Sequence, residues 1–348
     1  MGMRRHPVRV AAAVGLALAA GGFLAAKGSS AASSSAPIPI AKIGSFTAGG
    51  TVIGEGDKTL HCDRGFVEYL IPANARKVGL FLWHSSSTQV WQNRWDGGEG
   101  YQSIFLRRGF PVYMWDGPRV GRANWGCEDY PYKTVVGRDQ GNFTAWRFGP
   151  KYGEWFDGLQ FPKDNKEAWE QATSARYDEF DTPENAHLQA AAAAVAIDRI
   201  GPLVLVTNSA GGWRALLAAM RTKTDNVKAI VTYENAAYVY PNGEGPQGEE
   251  KGFGPTHVPL EEFKKLTRFP IQFVFGDNVD KSTIWTGELK QAQECAALIN
   301  KYGGHAEILE LPKAGLHGNT HIAFADMNNV AVADLLSAFL KKNGLDKR

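Results

Sequence analysis

Leu203-Val204-Leu205-Val206-Thr207-Asn208-Ser209-Ala210-Gly211-Gly212 runs from an apolar segment through a polar turn into Trp213-Arg214-Ala215-Leu216-Leu217-Ala218-Ala219-Met220, a stretch rich in helix formers. An unbroken apolar run of this length suits a strand buried on both faces of a parallel sheet. A strand that turns sharply into a helix with serine at its apex is a nucleophile elbow. The turn forces an unfavourable backbone conformation on Ser209, and Ala210, Gly211 and Gly212 are small enough to let strand and helix approach. The hydroxyl then stands clear of the sheet beside a helix N-terminus, where backbone N–H groups favour developing negative charge. Position 207 is Thr where a small residue is usual, but a β-branched residue fits the end of a strand. A serine in such a turn is otherwise an ordinary helix cap; what lies around it favours the nucleophile.

The chain has 348 residues and is 44% hydrophobic, enough for one large α/β domain with a sizeable core. Its net charge is only +2, and the basic residues are scattered rather than interleaved with aromatics in a stripe. Nucleic acid is therefore not an expected partner. No phosphate-binding loop, dinucleotide fingerprint, zinc-type Cys/His cluster or internal repeat occurs, so neither a cofactor nor a metal is expected.

The start reads as an export signal. Arg4, Arg5, His6 and Arg9 form a basic head, Val10 to Ala26 is apolar, and Ser29 to Ala32 offers small residues for cleavage. The expected division is a signal peptide over 1–32 and one catalytic-type domain over 33–348, secreted or periplasmic, with no membrane attachment in the mature form. An uncleaved anchor is the alternative, and the apolar stretch is slightly short for it. Export permits disulfides. Cys62 and Cys127 sit in polar, loop-like surroundings and are expected to pair, while Cys295 lies in a helical pattern and reads as a buried thiol.

Strand patterns fall at 43–53, 65–71, 78–83, 110–115, 203–206, 229–233, 271–275 and 306–311, with helical patterns at 184–200, 213–222, 260–266, 289–302 and 330–342. Apolar strands alternating with helices predict a mostly parallel eight-stranded sheet covered on both faces. Residues 119–181 break the rhythm: few regular signals, but Trp125, Phe143, Trp146, Phe148, Trp155, Phe156, Phe161 and Trp169. A long irregular insertion in a compact domain is usually functional. It is expected to cap the site, with Trp146, Trp155 and Phe156 in the substrate pocket, although such aromatics also make an insertion's own core.

A serine nucleophile needs a base, an orienting acid and oxyanion donors. In the chain order Ser–acid–His, the histidine follows the last strand. Gly315-Leu316-His317-Gly318-Asn319-Thr320-His321 offers two there, His317 and His321. The acid is Glu234, after one strand, or Asp277 or Asp280, after the next. One oxyanion N–H comes from Ala210, and a second from the loop Trp83-His84-Ser85-Ser86-Ser87-Thr88.

The stretch Gly318-Asn319-Thr320-His321, followed by Asp326-Met327-Asn328-Asn329, resembles the α/β-hydrolases related to bacterial esterase 713, and the resemblance runs through nearly the whole mature chain. It implies the α/β-hydrolase fold, His321 as the base, Glu234 as the acid and Ser86 as the second oxyanion donor. Relatives carry His-Gly and then Gly-Gly or a Cys pair in that loop, where this chain has three serines. The function expected is an exported serine carboxylester hydrolase acting on small, uncharged, largely hydrophobic esters. The alternatives are lactone, amide or thioester cleavage or acyl transfer on the same triad, or a non-catalytic binding protein that keeps the fold. The oligomeric state is left open, a homodimer included.

Overall fold

Eight strands form the central sheet: β1 Ile40–Ala48, β2 Gly65–Pro72, β3 Gly79–His84, β4 Val112–Asp116, β5 Leu203–Asn208, β6 Val227–Tyr233, β7 Pro270–Phe275 and β8 His305–Glu310. The computed structural model describes residues 36–130 and 133–348; the expected signal segment over 1–32 lies outside them. Across the sheet the strands run β1-β2-β4-β3-β5-β6-β7-β8. β2 is antiparallel to both neighbours, and β4 to β8 are parallel throughout.

Side chains alternate between faces along each strand. Phe81, Trp83, Leu203 and Leu205 pack into one core with Trp213, Ala215 and Leu216, under helices α4 Pro183–Ile200, α5 Ala210–Arg221 and α6 Thr283–Lys301. Leu80, Leu82, Val204 and Val206 pack into the other, with α1 Tyr101–Arg107, α7 Asn329–Lys342 and aromatics of the insertion. Both faces are covered, which is why β3 and β5 are buried at every residue and read as unbroken apolar runs.

The run expected as one strand over 43–53 is broken after Ala48. Gly49 and Gly50 take φ of +72° and +69°, and a Cβ at Gly50 would collide with the Cys62 carbonyl. Two successive left-handed residues turn the chain, so Thr51–Glu55 leaves the sheet and pairs with Lys58–Cys62 in a separate hairpin. Cys62 at its end is bridged to Cys127, and Cys295 is free and buried, with burial pushing its thiol up to about 12. Beside the bridge, Arg119 donates to both oxygens of Asp63 at 2.8 and 3.0 Å and lies over the Tyr130 ring. Disulfide and ion pair together fasten the start of the insertion to the sheet.

The insertion is more regular than its sequence predicts. It contains α2 Arg138–Ala145 and α3 Lys166–Ser174, the latter capped by Asn165, whose side chain accepts from Glu167 N and Ala168 N. Phe143, Phe148, Trp155, Phe161 and Trp169 pack ring against ring as its core.

Candidate active site

Ser209 occupies the turn between β5 and α5 with φ 55° and ψ −137°, a conformation that an L-residue adopts only under constraint. The constraint is visible on both sides. Ser209 N donates to Tyr233 O at 3.0 Å, and its carbonyl accepts from Gly212 N at 3.0 Å. A Cβ on Gly212 would strike Thr232 and Asn235, and one on Gly211 would come within 3.1 Å of the Trp83 carbonyl. From Leu203 to Met220, every residue except Ser209 is buried. The serine is thus the single point of this strand and helix offered to a reactant.

Glu234 directly follows β6, which lies next to β5, and also has a positive φ, 51°. Its carboxylate is 1% exposed and accepts from Arg147 Nη1 at 2.6 Å, Arg147 Nη2 at 2.5 Å and Gly276 N at 2.5 Å. Burial opposes ionisation here, but the Arg147 charge and the His321 contact outweigh it and draw Glu234 down to about 2. His321, on the loop after β8, has its Nδ1 3.5 Å from Glu234 Oε2, and among the described residues no other acceptor lies within bonding reach of that nitrogen. This is a loose contact, as is common before substrate binds. The imidazole lies against Trp285 with ring centroids 4.4 Å apart, and its backbone N–H donates to Trp146 O at 3.1 Å. Burial, then the charges of Arg147 and Arg176, lower its pKa further than Glu234 raises it.

One side chain ties these three positions together. Asn208, just before the serine, donates from its amide to Tyr233 O and to His321 O, both at 3.0 Å. The histidine loop is held from the other side by buried Asp326, which accepts from Thr320 N at 2.7 Å, Thr320 Oγ1 at 2.9 Å and Asn319 Nδ2 at 3.3 Å.

The alternatives fall elsewhere. The His317 side chain is 70% exposed, with Nδ1 3.7 Å from Asp277 Oδ2. Asp277 closes a turn instead, accepting from Gly318 N and Asn278 N, both at 2.7 Å. The structure therefore brings Ser209 and Glu234 to the ends of neighbouring strands, reaches both with the His321 loop, and leaves His317 and Asp277 paired at the outer edge of that loop.

The two expected oxyanion donors differ in their backbone partners. Ala210 is the first residue of α5, so its N–H has no acceptor within the helix. The Ser86 N–H is engaged within its own loop, donating to His84 Nδ1 at 2.9 Å. The cause is the state of His84. Burial, followed by the charges of Arg176, His321 and Arg214, keeps its pKa well below the ordinary imidazole range. A neutral ring leaves Nδ1 free to accept, and Ser86 N is the neighbouring donor. Below this loop Glu179 is buried; burial disfavours its charge, but Arg214, Arg176 and the hydroxyls of Ser85 and Ser86 keep its pKa lowered.

Of the three expected pocket aromatics, the structure brings Trp146 to the site. Its carbonyl meets His321, and its ring carries the Arg176 guanidinium at 4.4 Å. Trp155 does not take part; it stacks on Phe148 and Phe161 inside the insertion's own core. Phe156 is half-buried beside Lys281, whose Nζ lies 4.6 Å from the ring centre. Arg147, Arg176, Asn208, Trp285 and Asp326 were not legible as site residues. Asn208 and Asp326 lay in quoted stretches without a role; the others become neighbours of the site only through the tertiary fold.

Strand order and comparison with known structures agree. An atomic-resolution structure of a novel bacterial esterase superposes with a TM-score of 0.73 and 25% identity, covering 88% of this chain and 98% of that one. The chain has the α/β-hydrolase fold. No family model matches it. Among curated proteins it is similar to the probable secreted lipase phiG of Fungal sp. (strain ATCC 74256), 23% identical over 333 residues, which span 80% of this chain and 85% of that protein. The naproxen esterase (carboxylesterase NP) of Bacillus subtilis also aligns, with a TM-score of 0.42 and 12% identity over 87% of this chain and 92% of that one.

Proposed function

We propose that this α/β-hydrolase is an exported serine carboxylester hydrolase working through Ser209, His321 and Glu234. One observation carries the reading: a strained, partly exposed serine directly follows Asn208, whose amide donates to the His321 carbonyl, and the buried His321 faces an ionised, buried glutamate through Nδ1. His321 takes the Ser209 proton as the hydroxyl oxygen attacks the acyl carbon. Ala210 N–H receives the charge forming on the carbonyl oxygen, joined by Ser86 N–H once that group turns from His84. His321 then protonates the leaving alkoxide and activates the water that releases the acid. A base lowered in pKa remains unprotonated at neutral pH, and a glutamate near 2 stays charged to orient it.

The indole of Trp285 and the backbone beside Trp146 wall the base, and apolar aromatic surface there favours uncharged, hydrophobic acyl or alcohol groups. Export rests on the basic-then-apolar N-terminal segment, and the Cys62–Cys127 bridge suits an oxidising compartment. The test is hydrolysis of a short-chain chromogenic ester by the parent and by Ser209→Ala. Turnover should fall by about three orders of magnitude or more, with the circular-dichroism spectrum unchanged. A folded Ser209→Ala protein with parental activity would overturn the assignment.

A further inference from the structure

The acid of this site is not left to face the histidine alone. Arg147, contributed by the insertion, clamps Glu234 in a two-point ion pair in which both side chains are 1% exposed, and its Nε donates to Asp277 O at 2.8 Å. Arg147 itself takes φ 58° directly after Trp146, the residue whose carbonyl holds the His321 backbone. Its guanidinium also lies 5.3 Å from the centre of the Trp285 ring, the same indole that packs on His321. One dipeptide of the insertion, Trp146-Arg147, therefore fixes the acid by its side chain and the base by its backbone.

We propose that Arg147 is a positioning residue of the triad, which by clamping Glu234 limits how strongly the acid holds His321 and so keeps the histidine a working base in mildly acidic solution. This rests on the Ser209–His321–Glu234 reading. The physical argument is charge balance. An unpaired carboxylate next to imidazole stabilises imidazolium and raises the pH at which the base is lost. Here Glu234 gives its two oxygens to Arg147 and Gly276 N–H, leaving His321 Nδ1 at 3.5 Å. The other charged or titratable groups acting on the imidazole are the cation of Arg176 and His84, which burial and neighbouring cations keep neutral. Burial is the largest effect lowering the imidazole, and Arg147 and Arg176 add to it against Glu234; of the other buried carboxyl groups nearby, Glu179 is paired with Arg176 and Asp326 is bonded to Thr320.

The experiment is the pH profile of kcat/KM on an uncharged ester for the parent, Arg147→Lys and Arg147→Gln, with folding checked by near-UV circular dichroism. Arg147→Gln removes the cation while keeping hydrogen-bonding capacity, and its acid limb should move up by about one pH unit. Arg147→Lys keeps the charge but loses the fork; its limb should stay near the parent's while kcat falls. If Arg147 only supported the fold, activity would drop with the limb unmoved, which overturns the proposal. Should Arg147→Gln fail to fold, the His321 titration followed by NMR in the Ser209→Ala protein decides. The comparison is with Ser209→Ala carrying Arg147→Met: a midpoint about one pH unit above that of Ser209→Ala supports the proposal, and an unchanged midpoint rejects it, since burial alone already lowers His321. Ser209→Ala retaining full activity would instead remove the triad reading itself, a separate outcome.

Discussion

The elbow and the insertion build the same site by opposite means. The elbow from Leu203 to Arg221 is local: an apolar strand, a strained serine and a helix whose first residues have no room for side chains beyond Ala and Gly. Among the described residues the insertion over 119–181 has only two short helices, yet it reaches the loops of Ser86, Glu234 and His321. Tyr177 N bonds Ser86 O at 2.8 Å, Trp146 O takes the His321 N–H, and Arg147 holds Glu234. The nucleophile is thus set by neighbours in sequence, and the groups that tune it by neighbours in space.

That difference sets what a sequence alone can say. Most of the strands and the serine follow from hydrophobic periodicity and one polar turn, because period-two burial and small-residue packing leave local marks. Glu234 and His321 were separable from Asp277 and His317 only through resemblance, since any loop carboxylate or imidazole looks alike until its surroundings are known. Arg147 left no mark: an arginine in an aromatic-rich loop is ordinary until the fold places a buried carboxylate against it. Trp155 went the other way. Its residue type suited a pocket, but stacking against Phe148 and Phe161 buries more of it within the insertion itself.

The sharpest way to break the contrast is to exchange the two acids. Glu234→Gln should lower kcat by roughly two to four orders of magnitude, as loss of an orienting acid does, while Asp277→Asn should stay within about tenfold because Asp277 only closes the histidine turn. The reverse ranking in steady-state kinetics would move the acid to the outer edge of the loop and detach the insertion from the chemistry.

A smaller effect separates the insertion's core from its contact with the site. Trp155→Ala should destabilise the protein by about 3–5 kcal/mol in denaturant unfolding, with the acyl-chain preference unchanged. Trp146→Ala should shift that preference, since this residue adjoins His321 and supports Arg176. Equal stability losses and equal substrate profiles in the two variants would erase the division drawn between them.

The account stands or falls on which oxygen is attacked-from, and a covalent trap reads that directly. Fluorophosphonate-treated protein, digested and analysed by mass spectrometry, should carry a single adduct on Ser209 with esterase activity lost in parallel. His321→Ala should label far more slowly. An adduct on Ser85, Ser86 or Ser87, or complete loss of activity with Ser209 unmodified, would contradict it.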